Sequence, residues 1–232
     1  MRRAEDRPSA RRGQSGGRCY GGLTPEERED DRRQRLVAAG LELFGSLGYA
    51  RTTIQEVCSR ARITARNFYD HFESLEELLA AVYEHVVAHG RSALLESLAR
   101  DAGPAEVRAR RALRAYLHAM LDDPRHARVQ CVEVVGVSDA LEAHRRAVIH
   151  EFAEIMKGER LVLGFEHLRK AEVEVLALMF VAGVDELMTE CVMRSRYARP
   201  INDLVDAVIA AVGIGRPRGH TPRRRTRPRR TK

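Results

Sequence analysis

The chain has 232 residues, 44% hydrophobic and 31% charged, with four cysteines, no tryptophan and a net charge of +7. That length allows one large domain or two small ones, with a sizeable core. No apolar run nears the ~18–20 residues of a membrane helix, and the basic start "MRRAEDRPSARRGQSGG" lacks the apolar stretch of a signal peptide. Cys19, Cys58, Cys131 and Cys191 are scattered, without metal-ligand spacing or a disulfide framework. A cytoplasmic protein with reduced thiols, no metal and no cofactor is expected.

The charge is unevenly placed. Residues 214–232 carry nine basic and no acidic side chains, residues 1–22 carry six against two, and the middle of the chain is therefore left at −6. Both tails are rich in Arg, Gly, Ser or Pro and poor in apolar residues, so they are expected to be disordered. Between them, residues 23–73 and 74–213 are expected to form two helical units.

In chain order, Thr24-Pro25-Glu26-Glu27 supplies an N-cap, a proline in the first turn and a glutamate three residues after the cap. Leu36, Gly40, Leu43, Phe44 and Leu47 follow as one helical stripe, and Gly48 suits a left-handed stop. Thr53 and Glu56 form a second capping box, and Ser74 and Glu77 a third that opens a long helix. Between them Thr64 can cap a short helix of about two turns, with Ile63 and Phe68 spaced as a hydrophobic staple. Beyond Arg100, helices are expected from Gly103-Pro104 to Asp122-Asp123-Pro124, and at about 125–136, 139–157, 169–196 and 201–212. The run "VQCVEVVGV" (129–137) is β-branched and is the weakest of these. The expected fold class is all-α.

Two short helices joined by a tight turn, the second presenting small and polar groups, form the pattern of a helix-turn-helix. A helix that short fits the major groove, where an arginine can pair with guanine O6 and N7 and an asparagine with adenine N6 and N7. Arg66 and Asn67 are the candidate readers. Thr64, Tyr69 and His71 can donate to phosphate oxygens. Phe68 and Phe72, four residues apart, share the face that would anchor the helix.

Residues 32–83, through "LELFGSLGYARTTIQEV", the short third helix, "FYDHF" and the Ser-capped fourth helix, resemble the DNA-binding domain of tetracycline-repressor-type (TetR family) transcriptional regulators. The resemblance implies an N-terminal three-helix DNA-binding domain and a C-terminal helical bundle for dimerisation and ligand binding. It assigns a phosphate contact to Thr53, base-facing positions to Thr64, Ala65, Arg66 and Asn67, and phosphate contacts to Tyr69 and His71. After Ser74 the family commonly places a phosphate-binding lysine, and this chain has Leu75. Residues 26–79 hold eight arginines against eleven acids, a net of −3. Because phosphate neutralisation supplies much of DNA affinity, the tails are expected to add the missing attraction. Their "GRPRG" and "RTRPRR" segments resemble short minor-groove hooks.

The stretch "LALMFVAGVDELMTECVMR" (176–194) resembles the helix that, with the last one, forms the family's dimer interface. Leu176, Phe180, Gly183, Val184 and Leu187 form one stripe on it, and Leu178, Val181 and Met188 make a second side apolar, so one side can face the core and the other a partner. An unidentified small-molecule effector is implied, with Tyr116, Met120, Phe152, Met156 and Met179 as apolar and His118, Glu133 and His150 as polar candidates for its pocket.

Enzymatic motifs are missing. His150-Glu151-Phe152-Ala153-Glu154 has Glu where a zinc-protease helix needs its second histidine, and there is no nucleophile elbow or phosphate-binding glycine loop. Two classes remain. One is a sequence-specific regulator, a repressor bound as a homodimer to a palindromic operator in double-stranded DNA and released by a ligand. The other is a DNA-coating or architectural protein that acts through its basic tails.

Overall fold

Helix ends leave backbone groups unpaired, and in the N-terminal third side chains satisfy them one by one. The structure, a computed structural model, describes residues 24–100, 103–158, 168–194 and 200–212; both tails, with Cys19, lie outside the described residues. Helix α1 (Pro25–Ser46) opens with Thr24 Oγ accepting from the Glu27 N–H at 3.1 Å, while the Glu27 carboxylate accepts from the Thr24 N–H at 2.6 Å. It stops where Gly48 takes a φ of 97°, followed by a short 3-10 turn at Tyr49–Arg51. The Thr53–Glu56 capping box opens α2 (Ile54–Ala61).

Helix α2 ends with Arg62 in the left-handed region at φ 55°, its N–H bonded to the Ser59 carbonyl and the Ile63 N–H to that of Cys58. This is a Schellman motif made without the usual glycine. Arg35 of α1 donates to the carbonyls of Ala61 at 2.5 Å and Arg62 at 3.0 Å, placing a cation at the negative end of α2. The turn thus fixes α3 (Ala65–Tyr69), which Thr64 caps through the Asn67 N–H at 3.3 Å. Helix α4 (Leu75–Arg100) follows. Ser74 Oγ accepts from the Glu77 N–H, and the Glu77 carboxylate reaches back to the Glu73 N–H rather than to that of Ser74.

Leu36 and Phe44 of α1, Val57 of α2, Phe68 of α3, Phe72, and Leu78, Leu79 and Val82 of α4 close one core. The upper half of α4 then packs along α5 (Ala105–Leu121), and α7 (Asp139–Gly158) lies beside α8 (Lys170–Met193). Helix α9 (Ile201–Val212) covers α5 with Leu204, Val205 and Ile209. The described residues are helical with no strand, and α4 belongs to the core of both halves.

The weakest helix differs from expectation. Helix α6 covers only Pro124–Arg128; the β-branched run continues as a wide π turn over Val129–Glu133 and breaks at Gly136, φ 71°. Such turns often mark functional segments, and this one sends successive side chains two ways. Gln130 points inward to Tyr116. Glu133 accepts from the Tyr49 N–H at 2.7 Å and from Arg128 Nε at 2.8 Å, and Arg128 also reaches the Ser46 carbonyl.

Helices α1 and α6 meet closely at Gly45, where an added Cβ would lie 2.4 Å from Arg125 Cβ and 2.9 Å from its Cα. A Gly-to-Ala change in a helix normally gains about 1 kcal/mol, but here the neighbour is backbone and cannot swing aside. Overpacking of about 1–3 kcal/mol outweighs that gain. Gly45→Ala is therefore expected to lower the urea midpoint with an unchanged m-value. A raised midpoint would show that the α1–α6 seam is loose.

Candidate nucleic-acid interface and effector cavity

The recognition segment divides by face. Phe68 and Phe72 are 0% and 2% exposed, whereas Thr64, Ala65 and Arg66 face outward and Tyr69 is 58% exposed, edge-on to Phe68 at 5.4 Å. Asn67 is half-buried beside them. Among the described residues the Arg66 side chain has no hydrogen-bonding or ionic partner, so its five N–H donors are available. Thr64 uses only a lone pair in its cap, leaving its proton to donate. Thr53 differs: its hydroxyl accepts from the Glu56 N–H and donates to the Glu56 carboxylate at 2.8 Å, which holds that carboxyl below its usual range. Thr53 can give its proton to a phosphate only by releasing Glu56.

Two expected phosphate positions turn inward. The His71 side chain is 6% exposed, and its Nε2 is buried without a hydrogen bond, 3.7 Å from Glu29 of α1. The expectation that His71 holds phosphate is corrected for this conformation. It sits in the turn between Phe68 and Phe72, and seating those rings draws it against α1. Leu75 likewise packs on the core.

Farther along, a cavity of about 70 Å³ lies between α4, α5, α7 and α8. Leu94, Leu98, Leu113, Tyr116, Phe152 and Met156 line it, with Phe180, Val184 and Asp185 from α8. Of the five expected apolar pocket residues, Tyr116, Phe152 and Met156 are there. Met120 is fully buried outside the lining, and Met179 is 65% exposed on the outer face. The α8 stripe expected at a dimer interface is displaced too. Phe180 and Val184 line the cavity, Leu176 and Leu187 pack on the core, and Gly183 alone of the five faces outward. The outward apolar set is Val175, Leu178, Met179 and Met193. His118 and His150 are exposed, and Glu133 is bound to Arg128.

The polar end of the cavity was not foreseen. Gln130 Nε2 donates to the Tyr116 hydroxyl at 2.8 Å and to Asp185 Oδ1 at 3.3 Å. Burial pushes the Asp185 carboxyl up to about 6, against the opposing pull of Gln130 and Arg145. Burial, and then the Asp185 charge, push the Tyr116 phenol and Cys131 thiol well above their ordinary values. Asp185 is one of five acids in α8, with Glu186 beside it, so nothing in the sequence singled it out.

A raised Asp185 pKa opposes folding at neutral pH. Below about pH 4 the carboxyl is protonated in both folded and unfolded chains, and no cost arises. Between about 4 and 6 the unfolded chain alone releases the proton, and above 6 the cost is complete, on the order of 3 kcal/mol. Asp185→Asn should therefore raise the melting temperature at pH 7.5 and lose that advantage near pH 4. An equal gain at both values would mean that the group is not desolvated.

Among the described residues no three His, Cys, Asp or Glu side chains gather as metal ligands, and no helix is long and apolar enough to cross a membrane. An all-α chain with a short exposed helix seated on two others, followed by a bundle with an internal cavity, defines the helix-turn-helix class of DNA-binding proteins. Residues 36–82 match bacterial regulatory proteins of the tetR family. The HTH-type transcriptional activator FasR of Mycolicibacterium smegmatis is 33% identical over 125 residues, 54% of this chain and 51% of FasR. The uncharacterized HTH-type regulator YerO of Bacillus subtilis is 36% identical over 58 residues, 25% of this chain and 20% of YerO. The chain thus spans about half, or less, of the length of these curated relatives. In fold it is similar to the fatty acid degradation regulator FadR of Bacillus halodurans (TM-score 0.69, 15% identity, 82% of this chain and 97% of that one). It is also similar to FadR of Bacillus subtilis, solved with stearoyl-CoA (TM-score 0.66, 16% identity, 78% and 97%).

Proposed function

We propose that the chain is a sequence-specific transcriptional regulator that binds a palindromic operator as a homodimer and changes its grip when a small molecule enters the α4–α8 cavity. The observation that carries this reading is the seated recognition helix, with phenylalanines inward, Thr64, Arg66 and Tyr69 toward solvent and Asn67 half-buried beside them. Direct readout by Arg66 and Asn67 gives Arg66→Ala or Asn67→Ala a cost of about 1–3 kcal/mol on operator DNA, with relaxed preference at one base position. Competition binding on operator and scrambled duplexes measures this. Equal losses on both would favour a coating protein that reads only the backbone.

Coupling has a physical route. Pockets for drug-sized ligands measure roughly 300–1,000 Å³, so a ligand entering a cavity of about 70 Å³ must part its walls. Leu94 and Leu98 belong to α4, whose first turns pack beneath the DNA-binding helices. Gln130 ties the cavity to the π turn, and Glu133 of that turn holds the end of α1. A ligand preferring the widened state shifts the population of recognition-helix spacings. That FadR of Bacillus subtilis, similar in fold, was solved with stearoyl-CoA supports a small-molecule effector. Bound across a promoter, the chain would repress; FasR is named an activator.

The partner surface is the outward α8 face. Val175, Leu178, Met179 and Met193 form an apolar strip, and an added Cβ at Gly183 meets nothing within 4 Å. A two-fold partner on this strip sets two recognition helices about one DNA turn apart, roughly 34–36 Å. Val175→Asp combined with Met179→Asp should give monomers by sedimentation equilibrium and weaken operator binding, with helicity unchanged. A dimer that survives both changes places the interface elsewhere.

A further inference from the structure

The chemistry inside the cavity narrows what can occupy it, on the reading that the cavity receives the effector. Its walls are aliphatic and aromatic, contributed by α4, α5, α7 and α8, and the charged lining group is Asp185. Among the described residues, Asp185 Oδ1 accepts one hydrogen bond, from Gln130 at 3.3 Å, and Oδ2 accepts none. A carboxylate offers about four lone-pair sites, so most of its accepting capacity is unused. Gln130 Oε1 is buried without a donor as well. Arg145 of α7 acts on Asp185 through space, but its guanidinium bonds both Glu142 oxygens at 2.8 and 2.9 Å. Against these acceptors the lining itself offers one unused donor, the Tyr116 proton; Arg145 and Tyr83, which also act on Asp185 through space, are not among the lining residues. The Tyr116 hydroxyl itself accepts from Gln130.

We propose that the cavity accepts a small organic ammonium, an alkyl or aralkyl amine, whose charged nitrogen pairs with Asp185 while its carbon body lies among the apolar walls. An ammonium carries donors and no acceptor, which is what the site lacks. Tyr116 and Phe152 stand edge-to-face at 5.6 Å and Phe180 faces them from α8. Aromatic faces attract a cation, more strongly once it is desolvated. A ligand carboxylate would bring a second negative charge to a buried one and add acceptors where acceptors already lack partners. A neutral alcohol could donate one bond but would leave the carboxylate uncompensated.

The test uses the full chain without DNA and three ligands of equal length, hexylamine, hexanol and hexanoate, by titration calorimetry at pH 7.5. Hexylamine is expected to bind at least about tenfold tighter than hexanol, equivalent to 1.4 kcal/mol, with hexanoate weakest. In Asp185→Asn the amine's advantage should disappear while hexanol affinity stays. Met156→Trp, which fills the cavity from one wall, should weaken all three. Hexanoate binding as tightly as hexylamine, or no amine binding at millimolar concentration, overturns the proposal, and so does an amine preference that survives Asp185→Asn. The ranking on the unmodified chain decides by itself if the variant loses its fold. A missing operator footprint would instead overturn the regulator reading and leave the amine result standing.

Discussion

The seating of Phe68 and Phe72 is the constraint on which the DNA-binding end depends. A helix of five residues is far below the length at which a helix sustains itself in water. Its cap and little more than one turn of backbone bonds cannot offset the cost of ordering it. Two rings buried to within 2% supply the difference; truncating such a ring costs about 3–5 kcal/mol. Once they are seated, the side chains between them have fixed directions. Ala65, Arg66 and Tyr69 turn outward because Phe68 turns inward, and His71 is drawn toward Glu29 for the same reason. Arg35 completes the arrangement by clamping the carbonyls at the end of α2, so the angle between α2 and α3 is held by charge as well as by packing.

How far the sequence could be read follows from the range of each interaction. Caps are local, and Thr24–Glu27, Thr53–Glu56 and Thr64 all act within four residues, so the first four helix starts were legible. The phase of α8 was not. It is apolar nearly all round, and periodicity finds stripes without saying which one meets the chain's own core. Phe180 and Val184 went to the cavity, while Met179, one position away, went outside. The 129–137 run was ambiguous for another reason: β-branching weakens a helix without revealing that the chain would widen into a π turn. The contact between Gln130 and Asp185 spans 55 residues, and no local pattern could announce it.

That π turn couples the two ends of the molecule. Gln130 faces the cavity and Glu133 the end of α1, three residues apart on a widened turn. On the α1 side the contact is close because Gly45 and Gly48 present no side chain there. Packed seams of this kind are bistable rather than continuously deformable. On the proposed reading, a cavity that expands to take a ligand has a stiff element through which to push.

Electrostatics then limits how the DNA-binding end can grip. Its segment carries −3, Leu75 stands where a phosphate-binding lysine is common in the family, and His71 is occupied against α1. With eleven acids against eight arginines, the domain alone is expected to supply a weak and shallow salt-dependent attraction. On the proposed readout, non-specific affinity is expected to fall more than specific affinity, because base contacts by Arg66 and Asn67 would not depend on the phosphates the domain leaves unneutralised. The nine basic side chains of residues 214–232 are the densest run of positive charge in the sequence. On the proposed reading, a recognition helix that reads bases through Arg66 and Asn67 can be selective without the domain around it being strongly cationic.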